Sequence, residues 1–160
     1  MSAAATVFRP AEPYDETWMR RALELARAAG AREEVPVGAL VVRDGQVLAE
    51  ASNRMRTDAD PTAHAEILAL RAAGAALGDW RLEGAALYAT LEPCAMCAGA
   101  AVLARVERIV YAAADPKAGM VGSLACIPAD PRLNHRADVT AGVLAGEAGE
   151  LLRSFFRDRR

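Results

Sequence analysis

The chain has 160 residues, 53% of them hydrophobic and 25% charged, a balance that suits one soluble globular domain with a single core. Its formal net charge of −2 excludes a uniformly basic nucleic-acid binder, although a local basic patch can hide inside such a total. Three cysteines, Cys94, Cys97 and Cys126, are too few and too odd in number for a disulfide framework, and they point instead to a reducing, cytoplasmic setting with thiolates on a metal.

The first segment, Met1 to Pro10, lacks the basic start and apolar run of a signal peptide, so residues 1–13 are expected to be a disordered lead-in. From Asp15 to Ala29 the pattern is that of an amphipathic helix, with Met19, Leu23 and Ala26 on one face and Gly30 as its stop. Val37 to Arg43 predicts a strand, Asp44-Gly45 a hairpin turn and Gln46 to Ala51 the returning strand. A loop from Ser52 to Pro61 leads into a helix over Ala63 to Ala73. Ala85 to Leu91 reads as a buried strand, ended by Glu92-Pro93, which open a helix from Cys94 to Ala104. Val106 to Ala112 and Ala137 to Thr140 give two more strands, and a last helix runs from about Val143 to Phe156. Strands and helices alternate, so the class is α/β with helices covering a sheet. No apolar run approaches the roughly 18 residues of a membrane span.

Three segments carry chemistry. Cys94 and Cys97 are three apart at the start of a predicted helix, where side chains share a face and the helix dipole favours thiolate. With the imidazole of His64 they make a three-donor set for zinc that leaves the fourth tetrahedral position open, as in catalytic sites. Glu66, two residues after His64, is poorly placed to ligate the same ion but well placed to move protons beside it. The third segment is the Ser52-Asn53 loop.

His64-Ala65-Glu66 followed by Pro93-Cys94-Ala95-Met96-Cys97 resembles the signature of the cytidine and nucleotide deaminase superfamily. Glu34-Val35-Pro36-Val37-Gly38-Ala39, Asn53-Arg54, Asp60 to Glu66, Thr90 to Ala100, Gly122-Ser123-Leu124, Asn134-His135-Arg136 and Phe155-Phe156-Arg157 extend it, in order, to the bacterial tRNA adenosine deaminases. The chain departs from them at Pro116 and Met120 and in its short C-terminal tail. The resemblance implies a three-layer α/β/α cytidine-deaminase-like fold with a five-stranded mixed sheet over residues 14–160, and one zinc per subunit of a homodimer. It also implies conversion of the wobble adenosine of a tRNA anticodon stem-loop to inosine. That chemistry is known for zinc base deaminases and is not deduced from the spacing. It further implies that Asn53 contacts the target base and that Asp115 and Asn134 lie near the anticodon nucleotides.

Blander readings stand beside these. Cys126 or His135 would close the metal site as a structural one; Glu66 would be an exposed helix acid paired with Arg71; Asn53, Asp115 and Asn134 would be ordinary turn residues. Arg153, Arg157, Arg159 and Arg160, against Asp158, form a basic tail that either meets phosphates or is merely solvated. Ala98, Gly99, Ala100 and Ala101 pack either a partner subunit or the chain's own sheet. Two other functions compete: deamination of a free base or nucleoside (guanine, cytosine or cytidine), and a non-catalytic zinc-stabilised RNA-binding module.

Overall fold

A computed structural model of the chain describes residues 8–159; residues 1–7 of the expected lead-in, and Arg160, lie outside the described residues. Among the described residues, four helices and five strands follow in chain order: α1 (Asp15–Ala31), β1 (Gly38–Arg43), β2 (Gln46–Ser52), α2 (Ala65–Leu77), β3 (Ala86–Leu91), α3 (Ala95–Leu103), β4 (Arg108–Ala113), β5 (Asp138–Ala141) and α4 (Ala145–Arg157). The sheet order is β2-β1-β3-β4-β5. β1 runs antiparallel to both β2 and β3, while β3, β4 and β5 are parallel, so the sheet is mixed.

Alternation along each strand feeds two cores. Ala39, Val41, Leu87 and Ile109 face α2 and α3, whereas Leu40, Val42, Tyr88 and Val110 face α1 and α4. Both faces being covered explains why these strands read as continuous apolar runs. The turn residues Asp44 and Gly45 take φ of 53° and 72°, the type I′ pattern that suits a two-residue hairpin. α1 lies directly on β1 at Gly38, where a Cβ would collide with the Ala22 carbonyl and the Leu25 side chain.

Across the second core, Asp15 at the start of α1 receives both ends of the Arg108 guanidinium at 2.8 and 2.5 Å and the Tyr88 hydroxyl at 2.6 Å. This ties α1 to β3 and β4. Phe8 and Arg9 run beside β5, bridging to Val139.

The elements match the expected ones with small shifts. Gly30 does not stop α1, which continues to Ala31 and turns at Arg32 and Glu33. α2 starts later than expected and reaches Leu77, closed by Gly78 in the left-handed conformation. A 3₁₀ turn at Ile127–Ala129 had no sequence signal. No helix among the described residues is long and apolar enough to cross a membrane.

Candidate metal and base-binding site

Two helix starts converge at the carboxyl ends of the parallel strands, where open α/β sheets place ligands. His64 and Cys94 are not helical: each is the extended N-cap residue of its helix, α2 and α3, and Cys97 sits within the first turn of α3. The two cysteines therefore meet because a cap and a first turn face one way. His64 and Glu66 diverge because one precedes the helix and the other lies inside it.

The imidazole Nδ1 of His64 lies 3.6 Å from Cys94 Sγ and 3.5 Å from Cys97 Sγ, and all three donor atoms fall within 4.8 Å of one another. A tetrahedral zinc with roughly 2.3 Å bonds to sulfur and 2.0–2.1 Å to nitrogen spaces such N and S donors about 3.6 Å apart, so the cluster has the dimensions of a zinc site. Its protonation chemistry fits as well. Bonds from Cys97 and His64 pull Cys94 down to about 3. The bond to Cys94, then burial, pushes Cys97 up, and burial raises Glu66 against bonds from its own amide and the Cys97 thiol. His64 is raised, first by its bond to Cys94. A thiolate and a neighbouring thiol crowded beside an imidazole form a donor set that a divalent cation satisfies by taking the place of protons.

Cys126 and His135 stand apart from this group. Cys126 caps the 3₁₀ turn and packs on the apolar core, and the His135 ring nitrogen meets the Val106 carbonyl at 2.7 Å. Glu66 is buried at 4% exposure and is not the exposed helix acid of the blander reading.

The pocket beside the cluster holds about 170 Å³. Drug-sized ligands take roughly 300–1,000 Å³, so this space suits a single base with its sugar and phosphates left outside. Val35, Val37, Met55, Leu91 and Ala118 give it apolar walls, and Asn53, Glu66 and Asp115 offer polar groups. Asn53 accepts from the Met55 amide through Oδ1 at 3.2 Å and donates from Nδ2 to the Val35 carbonyl at 3.3 Å, which leaves Nδ2 a second hydrogen to offer. Asp115 Oδ1 accepts from the amides of Lys117 and Ala118, so it shapes its own loop while facing the pocket.

Asn134 and Arg157 are not among the pocket's lining residues. Asn134 is exposed beyond the turn at Asp130 to Leu133. Arg157 bonds to Ser154 Oγ and pairs with Glu150, in a shallow concavity shared with Lys117, Leu152, Arg153 and Phe156. Lys117, the chain's single lysine, thus joins Arg153 and Arg157 in that concavity, a grouping across distant segments that no local pattern announces. The tail is less free than its composition suggests. Glu150 pairs with both Arg153 and Arg157, while Arg159 folds back onto Glu33 and stacks on the Phe155 ring at 3.5 Å.

Sequence reasoning also missed Glu34 and Glu92. Glu34 accepts the amides of Arg56 and Thr57 beneath the Asn53 loop. Burial would raise both carboxyls, but the bonds they receive outweigh it and hold each below the ordinary range.

The family model of the MafB19-like deaminases matches residues 14–160. A tRNA-specific adenosine deaminase of Bacillus subtilis is 49% identical over 146 residues, covering 91% of each chain. Among solved structures, a tRNA:A34 deaminase, studied for A-to-I editing at the wobble position, superposes with a TM-score of 0.82 at 49% identity, over 85% of this chain and 99% of its own. A guanine deaminase of Nitrosomonas europaea reaches a TM-score of 0.74 at 32% identity, over 96% and 88%. Sequence and fold agree over nearly the whole length, and this chain belongs to the MafB19-like deaminase family, alongside the tRNA-specific adenosine deaminases.

Proposed function

We propose that the protein is a zinc-dependent hydrolytic deaminase that converts the wobble adenosine of a tRNA anticodon to inosine, with release of ammonia. The observation that carries this is the coincidence of a zinc-sized His64–Cys94–Cys97 cluster with Glu66 on a base-sized pocket, in a chain so close to tRNA-specific adenosine deaminases. Zinc held there by those three residues supplies a Lewis acid that makes water nucleophilic at neutral pH.

Glu66 is the proton carrier. Of the carboxylates on the pocket, Glu92 is saturated by loop donors and Asp115 caps its own turn. Glu66 takes a proton from the attacking water and passes it to the purine ring nitrogen as C6 is attacked, then takes the proton of the new C6 hydroxyl and delivers it to the amine, which departs as ammonia as the C6–N bond breaks and C6=O forms. Asn53 holds the base through its spare amide hydrogen, and Asp115 borders its entrance. Anticodon bases are already unpaired, so presenting one to a pocket this small costs little unstacking. Lys117, Arg153 and Arg157 meet phosphates of the stem-loop at their shared concavity, and Asn134 lies farther out along the same RNA. Such a substrate places the enzyme in the cytoplasm.

The protein acts as a homodimer. Ala98 and Ala101 pack on the chain's own core, but Leu103 on α3 and Trp80, which line one surface concavity with Ala100 and Ala104, are exposed, Leu103 at 69%. An apolar patch of this kind suits a self-complementary contact. A monomer in sedimentation equilibrium would refute that.

Incubating the protein with total tRNA and mapping inosine by sequencing tests the activity, with Glu66→Ala as control. Inosine at the first anticodon position, lost in the variant, is expected. The resemblance to a guanine deaminase keeps a free-base substrate in view, and faster ammonia release from free guanine than from an anticodon stem-loop would select it.

A further inference from the structure

One side chain of the pocket wall is spent wholly on its own protein. Glu92 follows β3, two residues before Cys94, and is 2% exposed. Its Oε1 accepts from the Asp115 amide at 3.0 Å and from the Ser123 hydroxyl, and its Oε2 accepts from the amides of Val121 and Ser123, each at 3.0 Å. Those donors come from both ends of the loop that follows β4. The same loop carries Asp115 and Ala118 into the pocket and Lys117 into the separate concavity of Arg153 and Arg157, although most of its residues are exposed. Gly119 crosses directly over the carboxylate, where any Cβ would collide with it.

Val121 sits in the core and the Met120 amide meets the Pro93 carbonyl, but the exposed stretch from Pro116 to Ala118 samples many shapes unless something fixes its ends. A buried carboxylate with four donors is a strong anchor, because each bond is charge-assisted and none has a water to replace it.

We propose that Glu92 is a positioning residue for substrate: from beneath, it sets the Asp115–Ser123 loop as the wall against which the base and its flanking nucleotides are placed. This rests on the deaminase reading above. Glutamine at this position has nearly the same shape but turns an NH₂ group toward two donors, so one end of the loop is released.

The test compares wild type, Glu92→Gln and Ser123→Ala on an anticodon stem-loop, with zinc content, kcat and KM measured, and hydrogen exchange followed in the peptide spanning 114–124. For Glu92→Gln, KM rises at least about tenfold, the scale of one lost charged hydrogen bond, with kcat and zinc content little changed. Exchange in the loop speeds up. Ser123→Ala gives a smaller change of the same kind and carries the test if Glu92→Gln fails to fold. A purely structural role would lower the melting temperature and the active fraction and leave KM alone. Wild-type KM together with wild-type exchange in the folded variants overturns the proposal. If wild type itself forms no inosine, the deaminase reading fails, and the exchange comparison still decides whether Glu92 anchors the loop.

Discussion

Replacing Arg108 by methionine isolates the strongest buried electrostatic contact in the fold. Its partner Asp15 is fully buried, and the two side chains are 0% and 4% exposed. The substitution removes two charge-assisted bonds to Asp15 and two to Thr140, and it strands a carboxylate among apolar residues with only Tyr88 and the Glu12 amide as donors. Breaking one side of a buried pair costs about 3–5 kcal/mol. At about 2–4 °C per kcal/mol for a chain of this size, the melting temperature at pH 7 falls by about 6–20 °C. The double variant Asp15→Leu with Arg108→Met removes both charges and is expected to cost less than Arg108→Met alone. Burial pushes the Asp15 carboxyl up, but the bonds from Arg108 and Tyr88 outweigh it and leave it below the ordinary 3.8. A depressed folded-state value means that this stability is complete above pH 3.8 and is lost as pH falls below that toward the folded value. Calorimetry across pH 7 to 3 therefore finds the gap between wild type and Arg108→Met closing at the acid end. A loss under about 3 °C at pH 7 would refute the reasoning.

Cys97→Ser and His64→Ala lose bound zinc while Cys126→Ser keeps it, by metal analysis of the purified proteins; zinc loss in the Cys126 variant would make the site a closed structural one. Glu66→Gln keeps its zinc and loses about 10²–10⁴-fold in turnover, as removal of a general acid–base group does, and a variant within threefold of wild type would assign proton transfer elsewhere. Lys117→Ala and Arg157→Ala, the latter held to Glu150 only at 3.6 Å, each reduce the slope of log affinity against log salt by about 0.7 on a single-stranded loop, whereas Arg159→Ala, whose charge sits 2.6 Å from Glu33, leaves it alone. Filter binding across a salt series reads all three, and an unchanged slope for the first two removes that concavity from the RNA surface.

The order of elements was legible because it is written in local pattern: apolar runs for strands covered on both faces, helical spacing at Met19, Leu23 and Ala26, and Asp44-Gly45 between two strands. The metal cluster was legible for a different reason. His64, Cys94 and Cys97 are chemically rare residues, and their types point to a metal-binding group even though the geometric premise was inexact, since His64 and Cys94 prove to be caps and not helical positions. Glu34 and Glu92 were invisible because nothing local separates a buried acid from an exposed one. Their donors lie 22 to 31 residues away along the chain and come together only on folding. Asn134 shows the converse. Its implied role came from resemblance, and its own chemistry is that of an exposed residue after a turn.

The two halves of the site are built from different materials, and this bears on how one fold serves more than one base. The donors that hold a metal start from helix N-termini packed against the sheet core, where a shift of half an ångström would spoil the coordination. The pocket walls around Asn53 and Asp115 are loops, each held from within by a buried carboxylate, Glu34 for the Asn53 side and Glu92 for the Asp115 side, beside backbone bonds such as those from Asn53 to Val37 and from Met120 to Pro93. Loops tied down from within can change sequence and contour between their anchors without disturbing the helices that carry His64, Cys94 and Cys97. Divergence between relatives that act on tRNA adenosine and on guanine is then expected in the stretches between anchors, at positions such as Met55 and Ala118, with the anchors themselves left in place. Exchanging the segment 116–118 for that of a guanine deaminase, with Glu92 and Gly119 retained, should leave zinc binding intact and alter only which base is accepted. Loss of zinc in that chimera would show that the loops and the metal centre are not separable.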